Sequence, residues 1–183
     1  MDKNMRLKLI QRYVANWAIG PSTLRGQGTG VTGAAKRFLI KELDIKGIAD
    51  KGISGYRKWL DDRTAEMKAT FPHTSQENWG AARKAINLFM VGAYFNKILS
   101  QEHNLESFGD VLEVPLDGRV ADNLVMFAAE ILNRKLEFTG IKYLEVDVGD
   151  QFQDVASECA RRENVPRVEL DIILWSDRAE FKA

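Results

Sequence analysis

Residues 82–99 read ARKAINLFMVGAYFNKIL, a stretch that is apolar nearly all round a helical wheel. A helix of that character must touch protein on most sides, so the stretch predicts the central helix of an all-α fold. On its N-terminal side apolar residues recur at helical spacing in three sets: Ile10, Tyr13, Val14 and Trp17; Ala35, Phe38 and Leu39; Tyr56, Trp59, Leu60 and Met67. On its C-terminal side the same period returns in Val120, Leu124, Phe127, Ala128 and Ile131, then in Phe152, Val155, Ala156 and Cys159. Each set predicts an amphipathic helix with those residues in the core. Pro21, Pro72, Pro115 and Pro166 all fall between the periodic segments, where a missing amide breaks no helix. Thr74 and Glu77 have capping-box spacing, so His73 to Glu77 is expected to start either the central helix or a short helix just before it. Only Tyr143 to Val148 alternates like a strand, enough for a minor hairpin at most.

A chain of 183 residues with 45% hydrophobic content fits one substantial core, so residues 1–183 are expected to form a single domain. Cys159 is the lone cysteine, and with only His73 and His103 beside it no disulfide, iron-sulfur cluster or structural zinc site is expected. No cofactor is expected either. No apolar run reaches the roughly 18 residues of a membrane span, and Met1 to Leu9 is charged where a signal peptide would turn apolar. A cytoplasmic monomer follows as the expectation. The net charge is zero, yet residues 1–100 carry 17 Lys/Arg against 8 Asp/Glu and residues 101–183 carry 9 against 18. A basic half suits a phosphate-facing surface; equally, two halves of opposite sign attract each other in the fold.

Three segments read together suggest a family. They are Trp79-Gly80-Ala81-Ala82-Arg83-Lys84-Ala85, Leu112-Glu113-Val114-Pro115-Leu116-Asp117-Gly118-Arg119-Val120, and Val168-Glu169-Leu170-Asp171-Ile172-Ile173-Leu174-Trp175. The first resembles the Gly-x-Gly-Arg-Lys hairpin of the helix-hairpin-helix DNA glycosylases, the superfamily that includes endonuclease III. The second resembles that superfamily's Val-Pro-x-Asp-x-x-Val, and the third is similar to the Leu-Asp-x-x-Leu-Trp ending of small archaeal-type 8-oxoguanine DNA glycosylases. The likeness covers roughly residues 76–176, with the hairpin and catalytic segment at 76–120. Ala82 stands where the hairpin has its second glycine, and the 33 positions from Lys84 to Asp117 call for an inserted loop within Ser100 to Val111. The implied fold is two helical halves around a cleft.

The resemblance implies that Lys84 and Asp117 are catalytic. At the mouth of the central helix, desolvation and the positive end of the helix dipole would both favour the neutral amine and Schiff-base chemistry; the competing reading is a phosphate contact or a solvated first-turn lysine. Asp117 would stabilise charge developing on the sugar or deprotonate Lys84, and it also stands where it can cap the helix after Pro115. Backbone amides at Gly80, Ala81 and Ala82, with Arg83, would hold a DNA phosphate, unless the small residues serve close helix packing. Arg25, in the glycine-rich stretch from Leu24 to Gly33, and Arg119 complete the expected DNA contacts. Gln27, Trp79, Phe89 and Trp175 are candidate pocket residues for an extruded base, and each of the aromatics has a core reading as well.

The expectation is therefore a base-excision enzyme that flips a damaged or modified nucleotide and cleaves its N-glycosidic bond, with lysine-dependent AP lyase activity. The C-terminal likeness implies an oxidised purine; a phage-type hypermodified base is the alternative. Two other readings stay open: a non-catalytic helix-hairpin-helix DNA-binding module, and a helical protein-interaction domain.

Overall fold

The computed structural model describes residues 1–175. Eight α-helices and no strand occur among them: α1 (Lys3–Ala18), α2 (Val31–Lys41), α3 (Lys46–Ala69), α4 (Trp79–Phe95), α5 (Lys97–His103), α6 (Gly118–Leu132), α7 (Val146–Glu163) and α8 (Leu170–Trp175). Side chains start four of them. Asp2 accepts from the Met5 amide at 2.8 Å, Asn78 from Ala81 at 3.0 Å, Asn96 from Leu99 at 3.1 Å and Asp117 from Val120 at 3.0 Å, so α1, α4, α5 and α6 each begin at a residue whose oxygen satisfies an orphan donor. Asn104, Asn133 and Asn164, all in the left-handed region, end α5, α6 and α7, a role more often given to glycine. α3 is interrupted at Gly52, whose φ of +64° leaves the helical range.

The helices enclose two adjoining cores. One is built from α1 to α5 and the chain up to Leu112, with Val168 added from the C-terminal end; α4 runs through it and buries Ala85, Ile86, Phe89, Met90 and Ala93. The other is built from Val114 onward by α6, α7 and α8, around Leu124, Phe152, Val155 and Leu170. The chain passes from one core to the other at Glu113, which is itself buried. The return passage lies beside it: Arg167 donates to the carbonyls of Val111 and Leu112, and the Val168 amide donates to Gly109 at 3.0 Å.

The structure departs from the sequence expectations at four places. The long apolar stretch is two helices rather than one, because Asn96 takes an extended conformation and caps α5, which opens at Lys97. Of the two outcomes expected for His73 to Glu77, the short helix before α4 is the one formed, a 3-10 turn, His73–Ser75, and α4 itself is started by Asn78. Ser100 to Val111 is largely helical, comprising the end of α5 and a 3-10 turn, Leu105–Phe108, rather than a loop. Tyr143 to Val148 contains no strand: a 3-10 turn, Ile141–Tyr143, leads into α7. Finally, Tyr13, Trp17 and Ile131 are exposed although their spacing matches a core stripe.

Candidate active site at the seam of the two cores

Lys84 sits in the second turn of α4, on the side turned toward the second core, and is buried. Its Nζ donates to the carbonyl of Thr23 at 3.3 Å and stands 3.7 Å from Oδ2 of Asp117. Asp117 divides its two oxygens: Oδ1 caps α6, which leaves Oδ2 for the lysine. Asp171, in the first turn of α8, joins them electrostatically, and its buried Oδ1 has no hydrogen-bond partner. The early loop, α4, the start of α6 and the start of α8 therefore converge on one amine and two carboxyls.

The charges in this group are poised unusually. Burial pushes the Lys84 ammonium below its ordinary range, opposed by the negative charges of Asp117 and Asp171. Burial, reinforced by the nearby charge of Asp117, pushes the Asp171 carboxyl up to about 6, with Lys84 acting the other way. A desolvated amine beside a carboxylate can lose its proton locally and attack an electrophilic carbon. Asp171 is the aspartate of the third segment that carries the family likeness, but no role attaches to it there; its place beside Lys84 and Asp117 and its missing partner appear only when α8 is placed over α6.

The expected phosphate site is not present in that form. Ala81, Ala82 and Arg83 are buried, and Gly80 lies in the first turn of α4 beneath the Ile141–Leu144 segment, where a Cβ would stand 2.2 Å from the Ile141 carbonyl oxygen. The Ala81 amide is already used by Asn78. The small residues here serve close packing. Arg83 is 3% exposed and is committed inside the protein: it donates to both oxygens of Glu113 at 2.9 and 3.1 Å, to Thr64 at 2.9 Å and to Asp61 at 2.7 Å, and lies 5.1 Å from the Trp79 ring. Its sequence neighbours give no hint of this, since Glu113 is 30 positions away.

Of the remaining candidates, Arg25 is exposed on the loop that supplies Thr23. Arg119 is exposed but engaged with Trp175, donating to its carbonyl at 2.9 Å and lying 5.2 Å from its ring. Gln27 is buried and accepts from Asn78 at 2.9 Å, so it fastens the early loop to the cap of α4 instead of facing a base. Phe89 is fully enclosed in the first core and offers no stacking face. Trp79 is half-buried and packs against Gly149; Trp175 is half-exposed at the end of α8. A cavity of about 10 Å³ between Lys84, Asn87, Glu113 and Gln153 has room for a single water, so it is not a nucleobase pocket.

Comparison with protein-family models, curated proteins and solved structures finds no match to this chain. What the site does is therefore argued from its own residues. Among the described residues, no helix is long and apolar enough to cross a membrane.

Proposed function

We propose that this chain is a helix-hairpin-helix-like DNA glycosylase that releases a damaged or modified base and then cleaves the strand as an AP lyase. The observation that carries this reading is the pairing of Lys84 with Asp117 at 3.7 Å across the seam of two helical cores, although 33 positions separate them in sequence. An amine kept from water, with a carboxylate oxygen aimed at it, is the equipment that displacement at a sugar carbon requires. The base is reached only if its nucleotide leaves the stack, because the sugar carbon is not open to in-line attack within a duplex.

In the reaction, Nζ of Lys84 forms a bond to C1′ as the N-glycosidic bond breaks and its electron pair leaves with the base. The proton lost from Nζ passes to Asp117. Asp117 returns that proton to O4′ as the sugar ring opens to a protonated imine, and transfer of a C2′ proton to the departed base anion allows β-elimination of the 3′ phosphate. The carboxylate also opposes the positive charge that grows on the sugar as the base departs. The exposed loop carrying Arg25 and Thr23 borders the lysine and is the surface on which we place the DNA backbone.

The test is a panel of duplexes bearing 8-oxoguanine, other oxidised purines, hypermodified bases and an abasic site, incubated with and without borohydride. The expected result is base release from one class, and a covalent adduct that Lys84→Gln abolishes while DNA binding persists. Asp117→Asn should keep the fold, since asparagine caps about as well as aspartate, and lower turnover by about 10²–10⁴-fold. Full activity of Asp117→Asn, or an adduct undiminished in Lys84→Gln, would refute the assignment.

A further inference from the structure

Helix α1 shows solvent a row of apolar side chains that neither core uses. Met5, Leu9, Tyr13 and Trp17 are spaced four apart, so they form one stripe along three turns, and all are exposed, Tyr13 at 68% and Trp17 at 66%. The core instead takes Val14, Ala15 and Ala18 from the same helix. Beside the stripe, Tyr13, Val14, Trp17, Gly92, Phe95 and Asn96 line an open groove of about 230 Å³. Gly92 shapes it: a Cβ there would lie 3.0 Å from Val14 and 3.3 Å from Trp17. An apolar ridge running beside a concavity differs from the scattered hydrophobics of an ordinary surface.

The surroundings are cationic. Arg6, Lys8 and Arg12 are exposed on α1 itself, and Arg6 and Lys97 line a second hollow next to the groove; none of these four makes an ion pair among the described residues. The nearby acids are already occupied, Asp2 with the α1 cap and Glu102 with Lys3 at 2.8 Å.

We propose that this face is the docking site for an acidic amphipathic helix of a partner protein. Four apolar residues at i, i+4 spacing match one face of a second helix, the groove receives a large apolar side chain, and the cations call for carboxylates along its edges. A second copy laid on the same stripe would bring these cations no carboxylate, because α1 carries Lys3, Arg6, Lys8 and Arg12 and no acid from Lys3 to Ala18. A flat bilayer would leave the groove beside Gly92 unfilled, and a single-stranded nucleic acid would leave Met5 and Leu9 without a base to cover them. The surface is separate from Lys84, which lies near the opposite end of α4.

The experiment is selection of a displayed library of randomised helical peptides on the full chain, counter-selected against Trp17→Glu. Enriched sequences should be apolar at i and i+4 and net acidic. Binding of a labelled enriched peptide should weaken at least about tenfold in Trp17→Glu and in Arg6→Glu/Arg12→Glu, as expected for loss of a central anchor or its charge complement, and should fall with salt. Circular dichroism should show both variants folded. The proposal is overturned if nothing enriches, or if the enriched peptides are basic or uncharged. It is also overturned if Trp17→Glu instead dissociates a dimer in sedimentation, abolishes binding to phosphatidylserine vesicles, or abolishes binding to oligothymidylate.

Discussion

Asp171 and Arg83 are the two residues whose environments make the sharpest predictions. Asp171 binds its proton more tightly folded than unfolded, so its ionisation opposes folding: the folded group titrates near 6 against an ordinary 3.8. Stability should therefore fall as pH rises from about 4 through about 6, by at most about 3 kcal/mol. Asp171→Asn should remove that dependence, melting above the wild type at pH 8 and level with it at pH 4; equal melting temperatures at both pH values would contradict the placement. Arg83 carries a different expectation. Removing it leaves the buried Glu113 only the Asn87 amide at 3.0 Å and the longer pair with Arg57 at 3.4 Å, so Arg83→Ala should cost up to about 3–5 kcal/mol in urea unfolding, whereas Lys58→Ala, which loses an exposed pair with Asp62, should cost under about 1 kcal/mol. The sequence carries the pairing of Lys84 with Asp117 through motif order alone. It cannot carry the fate of Arg83, because a cation next to a small-residue turn reads the same whether a phosphate or Glu113 lies opposite.

Among the elements, α4 is the most legible, since a segment apolar on all sides has only one place to go. Its ends are not. Asn96 ends the helix although apolar residues resume at Ile98 and Leu99, and the start depends on Asn78, whose side chain both receives the Ala81 amide and donates to Gln27. The period of α1 marks it as a helix, but a period does not say which of two apolar faces turns inward, and Tyr13 and Trp17 turn out. The 3-10 turn Ile141–Tyr143 is hidden because the acidic and apolar residues that follow from Tyr143 alternate like a strand. Its seat on Gly80 is testable. Gly80→Ala would drive a methyl into the Ile141 carbonyl and to 2.9 Å from the Leu144 Cβ, and should cost about 1–3 kcal/mol, seen as a lowered melting temperature and faster amide exchange in residues 141–144. Unchanged exchange there would show that the segment does not rest on α4.

For the whole molecule, the division of charge along the sequence bears on how DNA would be held. If the basic first core faces the backbone, affinity should fall log-linearly with salt, and Arg25→Glu should weaken binding across sequences and reduce the slope by about 0.9 for each phosphate no longer neutralised. A slope near zero would remove DNA from consideration. All-helical class and clean punctuation by proline are readable from composition and period; the division into two cores is not, because it depends on where the chain crosses at Glu113 and returns at Arg167. Those two crossings lie side by side, tied by the bonds from Arg167 and Val168 to residues 109–112. The halves are bound there as the boards of a book are by a spine, and they are fastened again where Gly80 seats Ile141–Leu144, Trp79 packs on Gly149 and Arg57 pairs with Asp150 at 2.6 Å. Lys84 adjoins Arg83, which grips Glu113 on that spine, and Asp117 follows four residues after it. With the halves held at more than this spine, the Lys84 amine and the Asp117 carboxylate are fixed at their 3.7 Å separation.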